Sequence, residues 1–154
     1  MDDLIYGLKT LEMSILMTPD KANFTGHVHG GDLLKYLDQV AYACATRYAG
    51  EYVVTLSCDK VLFKYPIHVG NLVTFLSTVN YTGTTSMEVG IKVVAEDIKS
   101  RIVQHTNSCY FTMVAIDENG KPTKVPQLEP IIDEDKRRFA DGKRRKELRI
   151  ANKL

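Results

Sequence analysis

The chain has 154 residues, of which 44% are hydrophobic and 25% charged, and its formal net charge is +1. This length suits one packed core and is too short for two ordinary domains, and the composition excludes a disordered chain or a disulfide scaffold as the default. No apolar run approaches the roughly 20 residues of a membrane helix, and Met1-Asp2-Asp3 is acidic where a secretory signal is basic. We therefore expect a cytoplasmic protein with one domain over residues 6–126 and a charged tail over 127–154.

Charge is distributed unevenly along the chain. Residues 131–154 carry nine Lys or Arg against five Asp or Glu, a net charge of +4, whereas the first 130 residues have a net charge of −3. A basic segment on a slightly acidic body favours an anionic partner, which leaves nucleic acid, a membrane surface and a phosphate-bearing ligand as open alternatives.

The first part of the domain predicts one strand and one long helix. Residues 6–17 mix apolar and polar residues in a pattern typical of a strand. A polar loop with Pro19 follows, and it leads through glycines to a helix start at Gly30-Gly31. From Asp32 onward apolar residues recur at helical spacing, and Gly50 suits a C-terminal cap. The apolar stripe of this helix consists of Leu33, Leu37, Val40, Ala41 and Cys44.

Residues 52–116 predict strands, because Val, Thr, Ile, Phe and Tyr are frequent and short turn signals separate them. Tyr81-Thr82-Gly83-Thr84 is expected to join the second and third of these strands as a hairpin. No second helix of comparable length could cross over a parallel sheet, so the pattern indicates an α+β fold with one helix packed on an antiparallel sheet. The predicted strands cover 53–63, 72–79, 87–95 and 102–116.

The tail is rich in helix formers over residues 131–152, but Gly142 interrupts them. After Ile131 and Ile132, only Phe139, Leu148 and Ile150 are large and apolar there, which predicts one or two solvated helices.

Neither the cysteines nor the histidines predict a metal site. Cys44, Cys58 and Cys109 are widely spaced without a CxxC pair, so we expect small buried residues and neither a metal cluster nor a disulfide framework. His27 and His29 lie one residue apart without a third ligand at a helpful spacing. We expect no metal and no cofactor.

Asp38 is the first candidate for catalysis, because it lies in the middle of the predicted helix on the rim of the apolar stripe. Partial burial would raise the pKa of this carboxyl and strip its water, which suits a general base or a nucleophile for acyl transfer. Periodicity alone favours a position that faces solvent, so a catalytic role needs further support.

Gly30 and Gly31 are the second candidate, since they leave backbone N–H groups uncrowded at the positive end of the helix dipole. Such donors stabilise the oxyanion of an attacked carbonyl, although a glycine pair can equally make a tight turn. Gly31 and Asp38 are separated by roughly 10 Å along a helix that rises 1.5 Å per residue. If both groups act on one carbonyl, a second copy of the chain should complete the site. Motifs for a serine nucleophile, a P-loop and a dinucleotide are absent from the sequence.

The segment 19–38, PDKANFTGHVHGGDLLKYLD, resembles the motif of the YciA-like bacterial acyl-CoA thioesterases and their eukaryotic ACOT relatives. The shared features are a proline followed by an acid, an Asn, a glycine, a Gly pair and a helix that carries an Asp. Residues 54–71 resemble the second block of that family, and residues 109–126 resemble its last strand. The resemblance covers about residues 8–126.

This resemblance implies a hot-dog fold, side-by-side dimers that commonly assemble as a trimer of dimers, and hydrolysis of acyl-CoA at the dimer interface. It assigns Asp38 as base or nucleophile, and it assigns Asn23 of the partner subunit to position water or the thioester. Gly30 and Gly31 would then be the oxyanion donors.

The resemblance also assigns the hairpin residues Gly83, Thr84, Thr85 and Ser86 to CoA binding, but with one departure. Relatives tend to have Gly-Arg-Ser-Ser near the CoA nucleotide, and here the arginine is replaced by Thr84. Phosphate recognition could then use cations of the tail, although such residues are usually solvated. The candidates are Arg137, Arg138, Lys143, Arg144 and Arg145.

Two other functions fit a hot-dog fold. One is a non-catalytic module that senses acyl-CoA and binds nucleic acid through the tail, and intact Asp38 and Asn23 argue against it. The other is a dehydratase or hydratase, which relies on a catalytic His whose flanking motif is absent. We expect acyl-CoA as substrate and a homo-oligomer, with neither a nucleic acid nor a membrane as partner.

Overall fold

The computed structural model describes Leu4 and residues 7–152 of the chain. Within these residues, five strands and two long helices are joined by loops, with a short 3-10 turn at Pro19–Lys21. No helix among them is long and apolar enough to cross a membrane. The elements are β1 (Thr10–Leu16), α1 (Gly30–Ala49), β2 (Tyr52–Asp59), β3 (Asn71–Thr82), β4 (Ser86–Asp97), β5 (Ile102–Ile116) and α2 (Asp133–Ile150).

The strands form one antiparallel sheet in the order β1-β3-β4-β5-β2, which confirms the predicted α+β layout. Residue 6, where we expected the first strand to begin, lies outside the described residues. β2 ends at Asp59 and not at Phe63, because Lys60 has a φ of 59° and this left-handed conformation leaves the extended geometry of a strand. The edge strands of the sheet are β1 and β2.

The helix α1 begins at Gly30, two residues before Asp32, where the helical spacing of apolar residues was expected to start. It ends at Ala49, directly before the predicted cap at Gly50. Gly50 adopts a left-handed conformation with a φ of 70°, and its N–H donates to Thr46 O. A glycine takes this conformation without steric cost, which fixes the end of the helix. The whole predicted apolar stripe is buried, together with Ala45 and Tyr48.

The core lies between α1 and one face of the sheet, which we call the inner face. Leu37 and Val40 of α1 pack in one cluster with Phe75 of β3 and Val89 of β4, and none of these four is more than 1% exposed. Burying each such side chain contributes about 1.5–3 kcal/mol, so the amphipathic stripe is sufficient to hold α1 on the sheet.

The helix α2 lies on the opposite face of the sheet, which we call the outer face. Neighbouring residues of a strand point to opposite faces, so they show which helix lies on which side. On β4, Val89 belongs to the core, whereas Glu88 contacts α2 through Arg145. The expected interruption at Gly142 was wrong, because α2 runs through this position as one helix. A Cβ at Gly142 would lie 2.8 Å from Tyr81 Cβ and 3.1 Å from Glu88 Oε1, so the glycine permits close packing of helix on sheet.

The expectation of a solvated tail was also wrong for one face of α2. Asp135 and Gly142 are buried there, and three ion pairs connect the helix to the rest of the chain, of which the two shortest involve Lys9 and Glu88. Lys9 Nζ lies 3.1 Å from Asp135 Oδ1, and Arg145 Nη2 lies 2.7 Å from Glu88 Oε1. Charged residues therefore attach this helix where the sequence offered few apolar ones.

Candidate active site

Asp38 lies on the side of α1 that faces the edge strand β2. Its Oδ1 accepts a hydrogen bond of 2.7 Å from Thr55 Oγ1, which also lies 3.6 Å from Met113 Sδ. Asp38 and Thr55 are both exposed in the single chain, so the partial burial that we expected for the carboxylate is not provided by its own subunit. The contact orients the carboxylate and leaves it accessible to a ligand.

Thr55 is a candidate site residue that the sequence did not reveal. It lies on a strand rich in β-branched residues, where a threonine is unremarkable. The alternation from buried Val53 places Thr55 on the side of the strand that faces α1. That signal becomes informative only once β2 is known to lie at the edge of the sheet beside the middle of α1.

Asn23 organises the loop that precedes α1. Its Oδ1 accepts hydrogen bonds from Thr25 N at 2.9 Å, Thr25 Oγ1 at 2.7 Å and His27 N at 3.1 Å. The side-chain carbonyl is therefore used inside the loop, as in an Asx turn. Within the described residues the amide nitrogen of Asn23 has no recorded hydrogen bond, and its two protons are the groups available to a ligand.

His27 belongs to the same loop. Its Nδ1 lies 2.9 Å from Thr25 Oγ1, and its ring meets the ring of His68 edge-on with centroids 4.8 Å apart. In the part of the chain that the structure describes, no group of three or more His, Cys, Asp or Glu side chains is arranged to hold a metal ion.

Gly30 and Gly31 are the first two residues of α1. Backbone N–H groups in the first turn of a helix have no partner within the helix. A Cβ at Gly31 would meet nothing within 4 Å, whereas one at Gly30 would lie 3.5 Å from the ring of Phe63. Gly31 therefore presents its backbone to open space, which leaves room for an anionic oxygen.

The structure brings Asp38 to Thr55 but not to Gly31, because both glycines form the N-terminal end of the same helix, roughly 10 Å along its axis from Asp38. Beside Asp38, the edge strand β2 carries Tyr52, Val54 and Leu56, which are 71%, 46% and 64% exposed. Leu34 and Tyr42 of α1 are also exposed. An unpaired strand edge with apolar side chains is a typical contact surface.

The hairpin between β3 and β4 contains Gly83, Thr84 and Thr85, and Ser86 is the first residue of β4. The turn comes two residues later than predicted, because β3 continues to Thr82 with a register shift after Val79. Gly83 N donates to Ser86 O at 2.8 Å. The hairpin is thus tightly closed and belongs to the sheet.

Most of the tail cations that we considered for phosphate binding are paired with carboxylates. Arg137 pairs with Glu134 and Asp141, Arg138 with Glu134, Arg144 with Asp141 and Arg145 with Glu88. The hydrogen bond from Arg137 holds the pKa of Glu134 below its usual value, as expected for an engaged pair. The fifth candidate, Lys143, is exposed.

The three cysteines differ in exposure. Cys44 and Cys109 are buried as expected, but Cys58 is exposed on the edge strand β2, so the expectation was wrong for this residue. Burial raises the pKa of the Cys44 thiol to about 11. A hydrogen bond with Cys109 lowers the pKa of the Cys58 thiol, against the charge of the nearby Asp59 and Asp38.

Comparisons with known proteins give the family. The family model of the thioesterase superfamily matches residues 25–102. Protein VdlD of Helicobacter pylori is 59% identical over 144 residues, which are 94% of this chain and 82% of that protein. A hexameric acyl-CoA thioesterase solved in its apo form is 36% identical with a TM-score of 0.91, over 96% of this chain and 94% of that one.

An acyl-CoA hydrolase from Staphylococcus aureus, solved in complex with butyryl coenzyme A, coenzyme A and coenzyme A disulfide, is 31% identical with a TM-score of 0.87, over 96% of this chain and 90% of that one. Mutants of the same hydrolase have also been solved, in which an asparagine, an aspartate or a threonine is replaced by alanine. These matches confirm the fold that the sequence predicted, and the chain belongs to the thioesterase superfamily, among its hot-dog acyl-CoA thioesterases.

Proposed function

We propose that this chain hydrolyses acyl-CoA to the free carboxylic acid and CoA, with Asp38 as its catalytic carboxylate. The observation that carries the proposal is the Asp38–Thr55 contact, which holds an accessible carboxylate in one orientation in the middle of α1. A fixed carboxylate beside an open surface is what a general base or a nucleophile for acyl transfer needs.

The spacing of three residues supports this assignment. In the Staphylococcus aureus hydrolase the replaced asparagine and aspartate are 15 positions apart, and the aspartate and threonine are 17 positions apart. Asn23, Asp38 and Thr55 have the same separations in this chain. We therefore place all three in one catalytic site, with Thr55 orienting Asp38.

Two chemical routes are open to Asp38. As a base it takes a proton from water while the water oxygen adds to the thioester carbonyl. The tetrahedral intermediate then breaks its C–S bond, and the leaving thiolate takes up the proton. As a nucleophile, the carboxylate attacks the carbonyl, the C–S bond breaks, and the CoA thiolate leaves and takes up a proton from water, so that a mixed anhydride with Asp38 forms. Water then hydrolyses this anhydride to the free carboxylic acid and restores the Asp38 carboxylate. In both routes a negative oxygen develops on the substrate, and backbone N–H groups of Gly30 and Gly31 would stabilise it.

The site is composite in this proposal, with Asp38 and Thr55 from one subunit and with Asn23, Gly30 and Gly31 from its partner. Two features support a second copy of the chain: the separation of the glycines from Asp38 along α1, and the exposed apolar edge of β2. A partner on this edge would also remove water from Asp38, which the single chain leaves exposed. We propose a dimer through β2, and by analogy with the hexameric relative a trimer of such dimers.

CoA binding is proposed for the hairpin residues Gly83, Thr84, Thr85 and Ser86. Met87, the next residue on β4, pairs with Met113 of β5, which in turn pairs with Thr55 of β2. Neighbouring strands are about 4.8 Å apart, so Met87 and Thr55, two strands apart, are separated by roughly 10 Å. The hairpin begins at the residue next to Met87. One extended ligand can therefore span both places.

The test is steady release of thiol from acyl-CoA substrates of increasing chain length. Asp38→Ala should reduce the rate by about 10²–10⁴-fold, the usual contribution of a general base. Asp32→Ala, the same substitution in the first turn of α1, is the control and should retain the activity. Undetectable turnover by the wild type with all chain lengths, while ligand binding is retained, would contradict the enzyme and favour a non-catalytic module.

Subunit mixing tests the composite site. Inactive Asp38→Ala chains and inactive Asn23→Ala chains should regain part of the activity when mixed, since each heterodimer contains one site with both residues intact. Subunit exchange must be verified with two affinity tags. If exchange is complete and no activity returns, the two residues do not belong to a shared site.

A further inference from the structure

One cation of α2 differs from the others in its surroundings. The five arginines of this helix all lie within 4 Å of a carboxylate, including Arg149, whose Nη1 is 3.9 Å from Asp59 Oδ2. Lys146 takes part in none of the ion pairs recorded for the described residues, and it is half-buried, whereas Lys136 and Lys143 are exposed. Its positive charge is thus held in place without a neutralising anion.

The hairpin determines where this charge lies. Lys146 Nζ is 3.3 Å from Ser86 Oγ and 5.7 Å from the centroid of the Tyr81 ring. A Cβ at Gly83 would lie only 2.3 Å from the same nitrogen, so the absence of a side chain at Gly83 makes room for the ammonium group. An ammonium has three donors, and the contact with Ser86 Oγ uses one of them. The remaining donors are available to a ligand at the hairpin.

The position of Lys146 corresponds to the anionic end of the proposed substrate. Acyl-CoA carries its phosphates at the end remote from the thioester, and such groups bind best to fixed cations. The hairpin lies roughly 10 Å across the sheet from Thr55, the hydrogen-bond partner of Asp38, and it forms the end of the sheet where β3 turns into β4. An extended ligand with its thioester at Asp38 on the inner face can pass around this end of the sheet and place its phosphates near Lys146 on the outer face.

We propose that Lys146 of α2 binds a phosphate group of CoA, as the cation that replaces the arginine absent from the hairpin at Thr84. This inference rests on the proposed function and names a residue outside the five tail cations that the sequence suggested. It gives α2 a role in substrate recognition, because the helix delivers one cation to the hairpin while its arginines bind the protein itself.

The test measures equilibrium binding of CoA by calorimetry, which does not depend on turnover. Lys146→Met keeps the aliphatic stem and removes the charge, and it should weaken CoA binding about tenfold, the effect of one charge-assisted hydrogen bond. Lys146→Arg keeps the charge and should bind CoA nearly as the wild type does. Lys143→Met is the control on the same helix and should bind CoA within about twofold of the wild type.

Two further ligands identify the phosphate and separate recognition from a structural effect. If Lys146→Met binds dephospho-CoA as tightly as the wild type does, Lys146 binds the 3′-phosphate of CoA. If the variant binds dephospho-CoA more weakly than the wild type, Lys146 binds the diphosphate. Pantetheine has no phosphate, and its binding should be the same in the wild type and in Lys146→Met. An equal loss with CoA and pantetheine, or unchanged CoA binding in Lys146→Met, would overturn the inference. If the wild type binds CoA in this pattern but hydrolyses no acyl-CoA, the proposed function fails and the role of Lys146 stands.

Discussion

The two helices are attached to opposite faces of one sheet by different physical means. The first, α1, buries seven residues, none of them charged, against the inner face. The second, α2, has 18 residues but buries only Asp135 and Gly142. Apolar area holds α1, whereas α2 is held by ion pairs, a close backbone approach and the contact of one large apolar side chain, Phe139, with Tyr81. A helix with little apolar surface can therefore be fixed on a sheet if the sheet offers buried charges to it.

This difference has consequences for how each helix responds to substitution. Loss of one apolar contact in α1 removes a part of a large shared area. The attachment of α2 depends on few groups, and a buried carboxylate such as Glu88 is costly once its partner is removed. Single changes on α2 should therefore have effects out of proportion to the small surface that it buries.

The largest effect is expected from Arg145→Met, which leaves the buried Glu88 carboxylate without its guanidinium. Arg145 donates from Nε and Nη2 to Glu88 at 3.0 and 2.7 Å and stacks 3.7 Å from the centroid of the Tyr110 ring. The free energy of unfolding should fall by about 3–5 kcal/mol, as measured by urea denaturation.

The double variant Glu88→Leu/Arg145→Met is the matched control, because it removes both charges. The double variant should recover more than half of the free energy of unfolding that Arg145→Met loses, since replacing a buried ion pair by apolar side chains is often close to neutral. Recovery is incomplete because Asn80 Nδ2 loses Glu88 Oε1, its acceptor at 3.0 Å. If the double variant is as unstable as Arg145→Met, the charge pair is not what attaches α2.

A smaller change in the free energy of unfolding is expected from Gly142→Ala. Its sign shows whether this glycine only weakens the helix or is needed for close packing on the sheet. If Gly142 merely weakened the helix, alanine would stabilise the protein by about 1 kcal/mol. The structure places the new Cβ 2.8 Å from Tyr81 Cβ, so helix and sheet must separate. We expect a net loss of about 2 kcal/mol, the usual cost of overpacking.

The control for this prediction is Lys143→Ala, the next residue of α2, which is exposed and should change the free energy of unfolding by less than about 0.5 kcal/mol. A gain in stability for Gly142→Ala, comparable with the helix propensity of alanine, would show that the sheet tolerates the methyl group.

The same contrast explains what the sequence could predict. The stripe of α1, its cap at Gly50 and the alternating strands follow from the local sequence, and Asp38 became a candidate because its motif is continuous along the chain. The proposed role of Thr55 could not be predicted, because it rests on a contact across 17 residues between an edge strand and a helix. The attachment of α2 was missed because ion pairs with Lys9 and Glu88 leave no periodic apolar signal.

Lys146 illustrates the same limit at the proposed CoA site. The sequence drew attention to the arginines of the tail as candidates for phosphate binding. Carboxylates engage those arginines, and only the folded chain distinguishes a lysine that lies beside the hairpin from neighbours in solvent.

The separation of a domain at residues 6–126 from a tail at 127–154 stays a prediction.

The smallest effect concerns Tyr48, where α1 contacts the segment that leads to α2. Tyr48 is 2% exposed, and its hydroxyl donates to Pro126 O at 2.9 Å. At neutral pH, Tyr48→Phe should cost about 1 kcal/mol, the value of one hydrogen bond. Burial, assisted by the charge of Glu129, raises the pKa of Tyr48 to about 12. An unfolded tyrosine ionises near pH 10, so the folded state holds this proton more tightly.

The sign of the pH dependence follows from that difference. The contribution of Tyr48 to stability is fully present below about pH 10 and is lost as the pH rises through about 12. The stability gap between the wild type and Tyr48→Phe should therefore narrow over this range, because the variant has no such group to ionise. Tyr65→Phe, at a tyrosine that is 47% exposed and lies outside β2, is the control for loss of a tyrosine hydroxyl and should change the free energy of unfolding by less than about 0.5 kcal/mol. The difference in the free energy of unfolding between the wild type and Tyr48→Phe could instead stay constant from pH 9 to pH 12. The hydroxyl would then ionise as freely in the folded protein as in the unfolded chain, and Tyr48 would not hold α1 to the segment before α2 by a hydrogen bond to Pro126.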